Sequence, residues 1–189
     1  MLKRVLFLKQ LFVWALLILI PLTPAQSQRF NVHPDTRMKA VFLYNFTKYI
    51  SWTTLDTAKT FTIGVFGVDE ILVPLRMMAQ ERLESGQVIK VLKVTDQDQI
   101  DGCEILFVPV HNTTAFHELR PELSSANILF VGESLGFATS DGAINFIKRD
   151  GKIKLEINRK ALTEANLTAS SHLLKLAILV GEGETLTNE

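Results

Sequence analysis

The stretches "EILFVPV" (residues 104–110) and "NILFVGE" (residues 127–133) decide the fold of this chain. Each is a short, continuous apolar run that ends in turn residues, as is typical of a strand buried on both faces of a sheet. The run "TIGVFG" (residues 62–67) has the same character. Helical patterns lie between these runs, and a repeated alternation of strands and helices predicts right-handed crossovers and a mostly parallel sheet.

Two further stretches predict helices in the first half of the chain. "RMKAVFLYNFTKYISW" (residues 37–52) has apolar residues at helical spacing, and polar residues interrupt it over a length too short to span a bilayer. We therefore expect it to form the first helix of the domain, packed on the sheet. A second helix is predicted over residues 69–84, with Asp69 as its N-cap, and the alternating "QVIKVLKV" predicts a half-buried strand.

The end of the chain changes character. "GAINFIKRDGKIKLEIN" (residues 142–158) contains two alternating strands around Asp150 and Gly151, which is a strong hairpin signal. A final helix is predicted from Arg159 to Val180, with Asn158 as its N-cap. The predicted fold class is therefore α/β: a single domain with a mostly parallel or mixed twisted sheet, flanking helices, a C-terminal β-hairpin and a final helix.

The first residues have the pattern of an export signal. Three basic residues at 3, 4 and 9 precede an uncharged apolar run, and small residues follow it. We predict a signal peptide at residues 1–27, cleaved near residues 25–28, and one domain over residues 28–189 with its core at about 37–180. Removal of the signal changes the charge balance from 20 − 20 to 17 − 20, a net charge near −3, which argues against a nucleic-acid partner.

The sequence predicts neither a metal site nor a cofactor. The four histidines lack metal-ligand spacing, and the sequence contains no Walker loop and no dinucleotide-binding glycine pattern. Cys103 is the only cysteine, so an internal disulfide is excluded. Its position just before an apolar strand favours a buried, inert thiol, with an intermolecular bridge as the alternative.

The stretch "GESLG" (residues 132–136) matches the nucleophile elbow of serine hydrolases. Ser134 would be the nucleophile and His172 the base, with Asp141 or Asp150 as the acid. The elbow should lead directly into a helix, whereas this stretch continues through Gly142 into a predicted strand. A structural turn is therefore the better interpretation, and no catalytic residue is predicted.

Ligands of open α/β sheets bind beyond the carboxyl ends of the strands, near the point where the strand order reverses. That rule selects the polar and turn residues that follow the three apolar runs. The candidate ligand-binding residues are Gly67, Asp69, His111, Asn112, Glu133 and Ser134. The alternative is that they are ordinary turn and cap residues.

The first predicted helix supplies a second kind of candidate. Tyr44, Tyr49 and Trp52 are amphipathic aromatic residues of the kind enriched at protein interfaces, and we regard them as candidates for partner contact. The alternative is core packing, because aromatic residues at helical spacing usually face the core.

Six blocks of the sequence, taken in order, are similar to the conserved blocks of the YfiR family. They are "MKAVFLYNFTKYISW", "FTIGVFG", "CEILFV", "FATSDGAINFI", "IKLEIN" and "ASSHLLKLA". The resemblance implies a bacterial periplasmic single-domain α/β protein without known enzymatic activity. The best-understood members bind the periplasmic sensor domain of an inner-membrane diguanylate cyclase and hold it inactive, and other relatives accompany sensor kinases or outer-membrane receptors.

One departure from that family concerns the cysteines. YfiR repressors use disulfides, whereas this chain has Cys103 alone, so it resembles a general family member more than the close counterpart of the cyclase repressor. The leading hypothesis is a periplasmic regulator that controls a membrane-bound signalling protein, such as a diguanylate cyclase or a sensor kinase, by direct contact. A small-molecule sensor is the second hypothesis and a hydrolase using Ser134 the third. The oligomeric state stays open, with a homodimer as one alternative.

Overall fold

The computed structural model describes residues 32–53, 60–80, 86, 88–124 and 126–181 of the 189-residue chain. The predicted signal peptide, residues 1–27, lies outside the described residues. The described residues belong to one compact unit that begins at Val32. Among them, no helix combines the length and the apolar character that a membrane span requires.

Strands and helices alternate along most of the chain. The strands are β1 (Ile50–Trp52), β2 (Phe61–Phe66), β3 (Ile89–Val94), β4 (Ile105–Val108), β5 (Leu129–Gly132), β6 (Ile144–Arg149), β7 (Lys152–Asn158), β8 (Leu167–Ala169) and β9 (Ile178–Val180). The helices are α1 (Pro34–Tyr49), α2 (Leu72–Met78), α3 (Gln97–Ile100), α4 (Thr113–Leu119), α5 (Phe137–Ser140), α6 (Arg159–Glu164) and α7 (Ser171–Leu176). Short 3-10 turns span Val110–Asn112 and Arg120–Glu122.

The central sheet has seven strands in the order β3-β2-β4-β5-β6-β7-β9. The first five of these strands pair in parallel, β7 is antiparallel to β6, and β9 is parallel to β7. The three apolar runs form β2, β4 and β5 in the middle of the sheet, where both faces are covered. The prediction of an α/β domain with a mostly parallel, mixed sheet is confirmed.

The predicted hairpin is also confirmed. It joins β6 to β7 through Asp150 and Gly151, whose φ angles are 51° and 71°. Both central residues of the turn are therefore left-handed, as a two-residue turn between twisted strands requires. Arg149 lies opposite Lys152 directly beside the turn.

The core lies on both faces of the sheet. On one face α1 buries Ala40, Leu43 and Phe46, and the Phe46 ring lies 6.2 Å from that of Phe146 on β6. On the other face the Phe116 ring of α4 contacts the rings of Phe130 and Phe137 at 5.5 and 5.8 Å. These two clusters explain how a chain without a disulfide is stable.

The first two helices differ in extent from their predictions. Helix α1 ends at Tyr49, and residues 50–52 form the strand β1 instead of the last helical turn. Helix α2 begins at Leu72 and its N-cap is Ile71, although the Asp69 Oδ1 atom does accept a hydrogen bond from Ile71 N at 2.8 Å. Asp69 thus stabilises the turn before the helix. The predicted end of that helix, residues 81–84, lies outside the described residues.

The single final helix from Arg159 to Val180 is wrong. Asn158 does cap a helix, because its side chain accepts a hydrogen bond from Ala161 N, but α6 ends at Glu164. Asn166 adopts a left-handed φ of 59°, which no continuous α-helix accommodates. Residues 167–169 then form β8, Ser170 caps the short helix α7, and residues 178–180 form β9.

Cys103 is buried, as predicted, and its Sγ atom lies 3.3 Å from the carbonyl oxygen of Gln99. Burial raises the pKa of this thiol to about 12, and the nearby Glu104 adds to the effect. Because the thiolate is the reactive form, Cys103 is an inert core residue at neutral pH.

Candidate functional site

The loops that follow β2, β4 and β5 meet at the carboxyl edge of the sheet. Strand β3 lies on one side of β2 and β4 on the other, so the strand order reverses between β2 and β4. This reversal is the place where open α/β sheets bind ligands. We call the residues of these three loops, together with the first turns of α1, the carboxyl-edge surface.

Asn112 joins the loops after β2 and β4. Its Nδ2 atom donates a hydrogen bond to the carbonyl oxygen of Phe66 at 2.7 Å. Gly67 has a φ of 80°, and a Cβ atom there would overlap the Asn112 side chain, so only glycine fits. In the same loops a ring nitrogen of His111 lies 3.0 Å from the carbonyl oxygen of Val68.

Glu133 joins the loop after β5 to its neighbours. Its Oε1 atom accepts a hydrogen bond from Val110 N at 2.9 Å, and its Oε2 atom pairs with Lys39 Nζ of α1. The Lys39 and Glu133 side chains are only 19% and 11% exposed. This largely buried ion pair fixes three chain segments relative to one another.

Asp69 is the second carboxylate of the carboxyl-edge surface. Burial raises its pKa, the charge of Glu133 adds to the increase, and the hydrogen bond from Ile71 N counteracts it. The Oδ2 atom of Asp69 lies 3.9 Å from Nδ1 of His111. Within the described residues, no group of three His, Cys, Asp or Glu side chains is placed to bind a metal ion.

Each of the three loops also presents an aliphatic side chain to solvent. Val68 is 66% exposed, Val110 is 57% exposed and Leu135 is fully exposed at 101%. Large contiguous exposed apolar patches, especially those rimmed by polar residues, mark contact sites for other molecules. Below the loop tips, Glu133, His111 and Asn112 bond to backbone atoms of Val110, Val68 and Phe66, which ties the loops after β2 and β4 to each other and to the start of the β5 loop.

Residues 36–178 match the model of a known family, DUF4154, described as YfiR/HmsC-like. The chain belongs to the YfiR/HmsC-like family. The matched stretch includes every residue of the carboxyl-edge surface named above. Membership indicates a periplasmic regulatory protein, a class that is generally non-enzymatic. A search of curated proteins finds no match to this chain.

Five of the six predicted ligand-binding residues belong to the network of this YfiR/HmsC-like domain. Ser134 lies in the turn after β5, where its carbonyl oxygen accepts a hydrogen bond from Phe137 N at 3.2 Å. His172 instead packs against Tyr49, with the ring centroids 5.6 Å apart. Tyr49 lies ten residues along α1 from the Lys39 that contacts the β5 loop, about 15 Å at 1.5 Å per residue. Ser134 and His172 therefore do not form a catalytic pair.

The three aromatic residues proposed for partner contact have different environments. Tyr49 is exposed, and Tyr44 is half-buried, with Lys48 Nζ 5.9 Å from the Tyr44 ring. Trp52 is buried, and its Nε1 atom donates a hydrogen bond to the carbonyl oxygen of Asn127 at 3.0 Å. Trp52 is therefore a core residue and is not available on the surface.

A cavity of about 300 Å³ lies away from the carboxyl-edge surface, near the amino end of β6. Arg120, Ser140 and Asp141 line it together with residues of α6. Asp141 accepts hydrogen bonds from Ser140 at 2.6 Å and pairs with His117 at 2.7 Å, while Arg120 Nε donates to the Asp141 carbonyl oxygen at 2.6 Å. Burial lowers the pKa of Arg120, an effect that Asp141 opposes.

Sequence reasoning missed two parts of the site. Lys39 is one of the polar residues that interrupt the first predicted helix, but no sequence pattern predicts its pairing with Glu133, and the exposed aliphatic residues at 68, 110 and 135 are not singled out. The usable signal is positional, because each aliphatic residue follows closely after a buried strand, where turns normally carry polar residues.

Proposed function

We propose that this protein is exported through its residues 1–27 and acts in the periplasm as a non-enzymatic regulator. It controls a membrane-bound signalling protein, and the sensor domain of a diguanylate cyclase is the partner that the family favours. The contact is made by the carboxyl-edge surface. The observation that carries this proposal is the exposure of Val68, Val110 and Leu135 on three loops that Glu133, Asn112 and Lys39 tie to one another and to α1.

Ordering of side chains and loops on association opposes binding, so a surface with fixed loops keeps more of its contact energy. Fully exposed aliphatic groups such as Leu135 gain most when a partner buries them. Regulation then follows from a difference in affinity for two states of the partner, because a ligand shifts an equilibrium only by that difference.

The test compares two aspartate substitutions at exposed leucines. Leu135→Asp changes the carboxyl-edge surface, whereas Leu176→Asp changes α7, where Leu176 is 60% exposed. Both are produced in a strain that lacks the native gene, and cellular cyclic di-GMP is measured. We expect cells that produce Leu135→Asp to have the cyclic di-GMP level of the strain that lacks the gene. Cells that produce Leu176→Asp should have the level of cells with the wild type. Equal activity of both variants would contradict the proposal.

Export is tested separately. Cell fractionation should place the protein in the periplasm, and N-terminal sequencing of that form should show a start near residues 26–29. A protein retained in the cytoplasm with an intact N-terminus would contradict the assignment of residues 1–27 as a signal and of residues 28–189 as the mature domain.

A second candidate function is small-molecule sensing, and the cavity beside Arg120 favours it, since its volume of about 300 Å³ is at the lower end for ligand sites. A ligand at 100 times its Kd should stabilise the protein by about 2.7 kcal/mol, which a thermal-shift screen detects. Ala161→Phe would fill the cavity from α6 and should abolish the shift. A shift that survives Ala161→Phe would place the ligand elsewhere.

A further inference from the structure

Three exposed cations share one face of the β6–β7 hairpin. Arg149 lies directly opposite Lys152, and Lys154 lies two residues farther along β7, so side-chain alternation puts all three on the same face. All three are exposed. We call Arg149, Lys152 and Lys154 the hairpin cations.

The Arg149–Lys152 pair is unfavourable for the hairpin itself. Like charges directly opposite each other on antiparallel strands are destabilising. Within the part of the chain that the structure describes, neither residue has an ion pair. Lys148, on the other face, does have one, with Asp35 at 2.6 Å. The hairpin therefore keeps a repulsive pair that a contact with negative charge would relieve.

The acids near the hairpin cations are few. Asp150 belongs to the turn, and Glu156 lies two residues beyond Lys154, where it accepts a hydrogen bond from Asn145 at 2.9 Å. Residues 148–154 contain four cations and one acid in a chain whose formal net charge is zero. The two-residue turn brings Arg149 and Lys152 opposite each other at the tip of the hairpin.

A chain of contacts connects the hairpin to the carboxyl-edge surface. Lys148 pairs with Asp35 in the first turn of α1, and Lys39, one turn later, pairs with Glu133. The Glu133 side chain in turn accepts a hydrogen bond from Val110 N. Because β6 runs parallel to β5 and Asn145 lies opposite Gly132, the tip of the hairpin lies beyond the end of β5, at the carboxyl end of the sheet.

We propose that the hairpin cations bind an acidic segment of the protein partner, beside the apolar contact made by Leu135. This inference rests on the proposed function and adds the chemistry of the partner. A protein suits the surface better than an anionic membrane, because Asp69 lies at the same edge, and Asp96 and Asp98 follow the end of β3 there. A protein can match both signs of charge, whereas anionic headgroups would be repelled by the acidic side.

The variant Arg149→Glu/Lys152→Glu tests the inference while keeping stability matched, since it replaces one like-charged pair by another. The control Lys90→Glu/Lys93→Glu makes the same change of charge on β3, the edge strand far from the hairpin in the strand order, where both lysines are exposed. Each full chain is produced in the strain without the native gene, cyclic di-GMP is measured, and the thermal midpoint of each purified protein is compared.

We expect the hairpin variant to lose regulation, so that cyclic di-GMP stays at the level of the strain that lacks the gene. The control variant should give the cyclic di-GMP level of the wild type. An acidic-to-basic change in the periplasmic region of a membrane signalling protein should restore regulation by the hairpin variant. If the wild type regulates and the hairpin variant does so equally, this inference is overturned while the proposed function stands. If the wild type itself fails to regulate, both are overturned.

A vesicle experiment decides between a protein and a membrane. The purified wild type is sedimented with vesicles of phosphatidylcholine alone and with vesicles containing equal parts of phosphatidylglycerol. We expect no binding to either. Binding to the anionic vesicles that Arg149→Glu/Lys152→Glu abolishes would overturn the protein partner in favour of the lipid surface.

Discussion

Replacement of Lys39 by methionine should destabilise the protein far more than the loss of an ordinary surface charge. The substitution keeps the length of the side chain but leaves the Glu133 carboxylate without its cation. Glu133 is only 11% exposed, and its Oε1 atom remains bonded to Val110 N. Removing one partner of a fully buried pair costs about 3–5 kcal/mol, and exposed pairs contribute about 0–1 kcal/mol.

The partial burial of this pair places the expected loss between those limits, at about 2 kcal/mol. Urea denaturation followed by circular dichroism measures it directly. Lys160→Met is the control, because Lys160 and Glu164 form an exposed pair at 3.8 Å, four residues apart on α6. Its cost should be about 0.2–0.5 kcal/mol.

The double variant Lys39→Met/Glu133→Gln completes the cycle. Glutamine keeps an oxygen for Val110 N and removes the unpaired charge, so the double variant should regain at least half of the lost stability. The reasoning is refuted if Lys39→Met costs no more than Lys160→Met. It is also refuted if the double variant is no more stable than Lys39→Met, since the loss would then come from packing and not from the unpaired Glu133.

Three further predictions concern single residues. Asp69→Asn keeps the acceptor for Ile71 N and removes a carboxylate whose pKa is raised in the folded state, which disfavours its charged form. The variant should therefore match the stability of the wild type below pH 3.8 and exceed it as the pH rises through that value. Urea midpoints measured across this pH range would show the opposite trend if the sign were wrong. Cys103, with its pKa of about 12, should resist a thiol reagent at pH 8 in the native protein and react fully in urea. Rapid labelling of the native protein would contradict the burial of this thiol. Gly132→Ala should lower the free energy of unfolding by about 1–3 kcal/mol, because a Cβ atom would overlap the Phe137 ring. An unchanged midpoint of thermal unfolding would show instead that the ring moves freely.

The sheet was predictable because its central strands are buried on both faces. Such strands need continuous apolar runs, and those of β2, β4 and β5 are visible without any alignment. The hairpin was equally visible, since Asp150 and Gly151 are among the few residues that adopt left-handed φ angles readily. From that two-residue turn the opposition of Arg149 and Lys152 follows directly.

The last third of the chain was less predictable because its structure depends on distant partners. Residues 167–169 become a strand by pairing with β1, which lies more than a hundred positions earlier. Their sequence, Leu-Thr-Ala, has no strong preference of its own, so a helical pattern across it was misleading. The break at Asn166 is local, but a single asparagine within an apolar pattern is a weak signal.

The polar network was predictable in part. The rule for carboxyl ends of strands selects Glu133 and Asp69 correctly as neighbours of the strand-order reversal. It cannot identify Lys39, which is 94 positions from Glu133 and reaches it only because α1 packs over the sheet. Exposure of Leu135 is likewise a tertiary property, since the sequence alone does not distinguish an apolar loop residue that is covered from one that faces solvent.

The pairing of β1 with β8 has a kinetic consequence. Ile50 lies opposite Ala169, so this small sheet cannot form until a loop of more than a hundred residues has closed. Contacts between residues so distant along the chain slow folding, because chain entropy is lost before the contacts form. This small sheet should therefore form late, and the fold is complete only after residues 167–169 have been synthesised. A chain that has not completed its fold can still pass, in an unfolded form, through a protein channel too narrow for a folded domain.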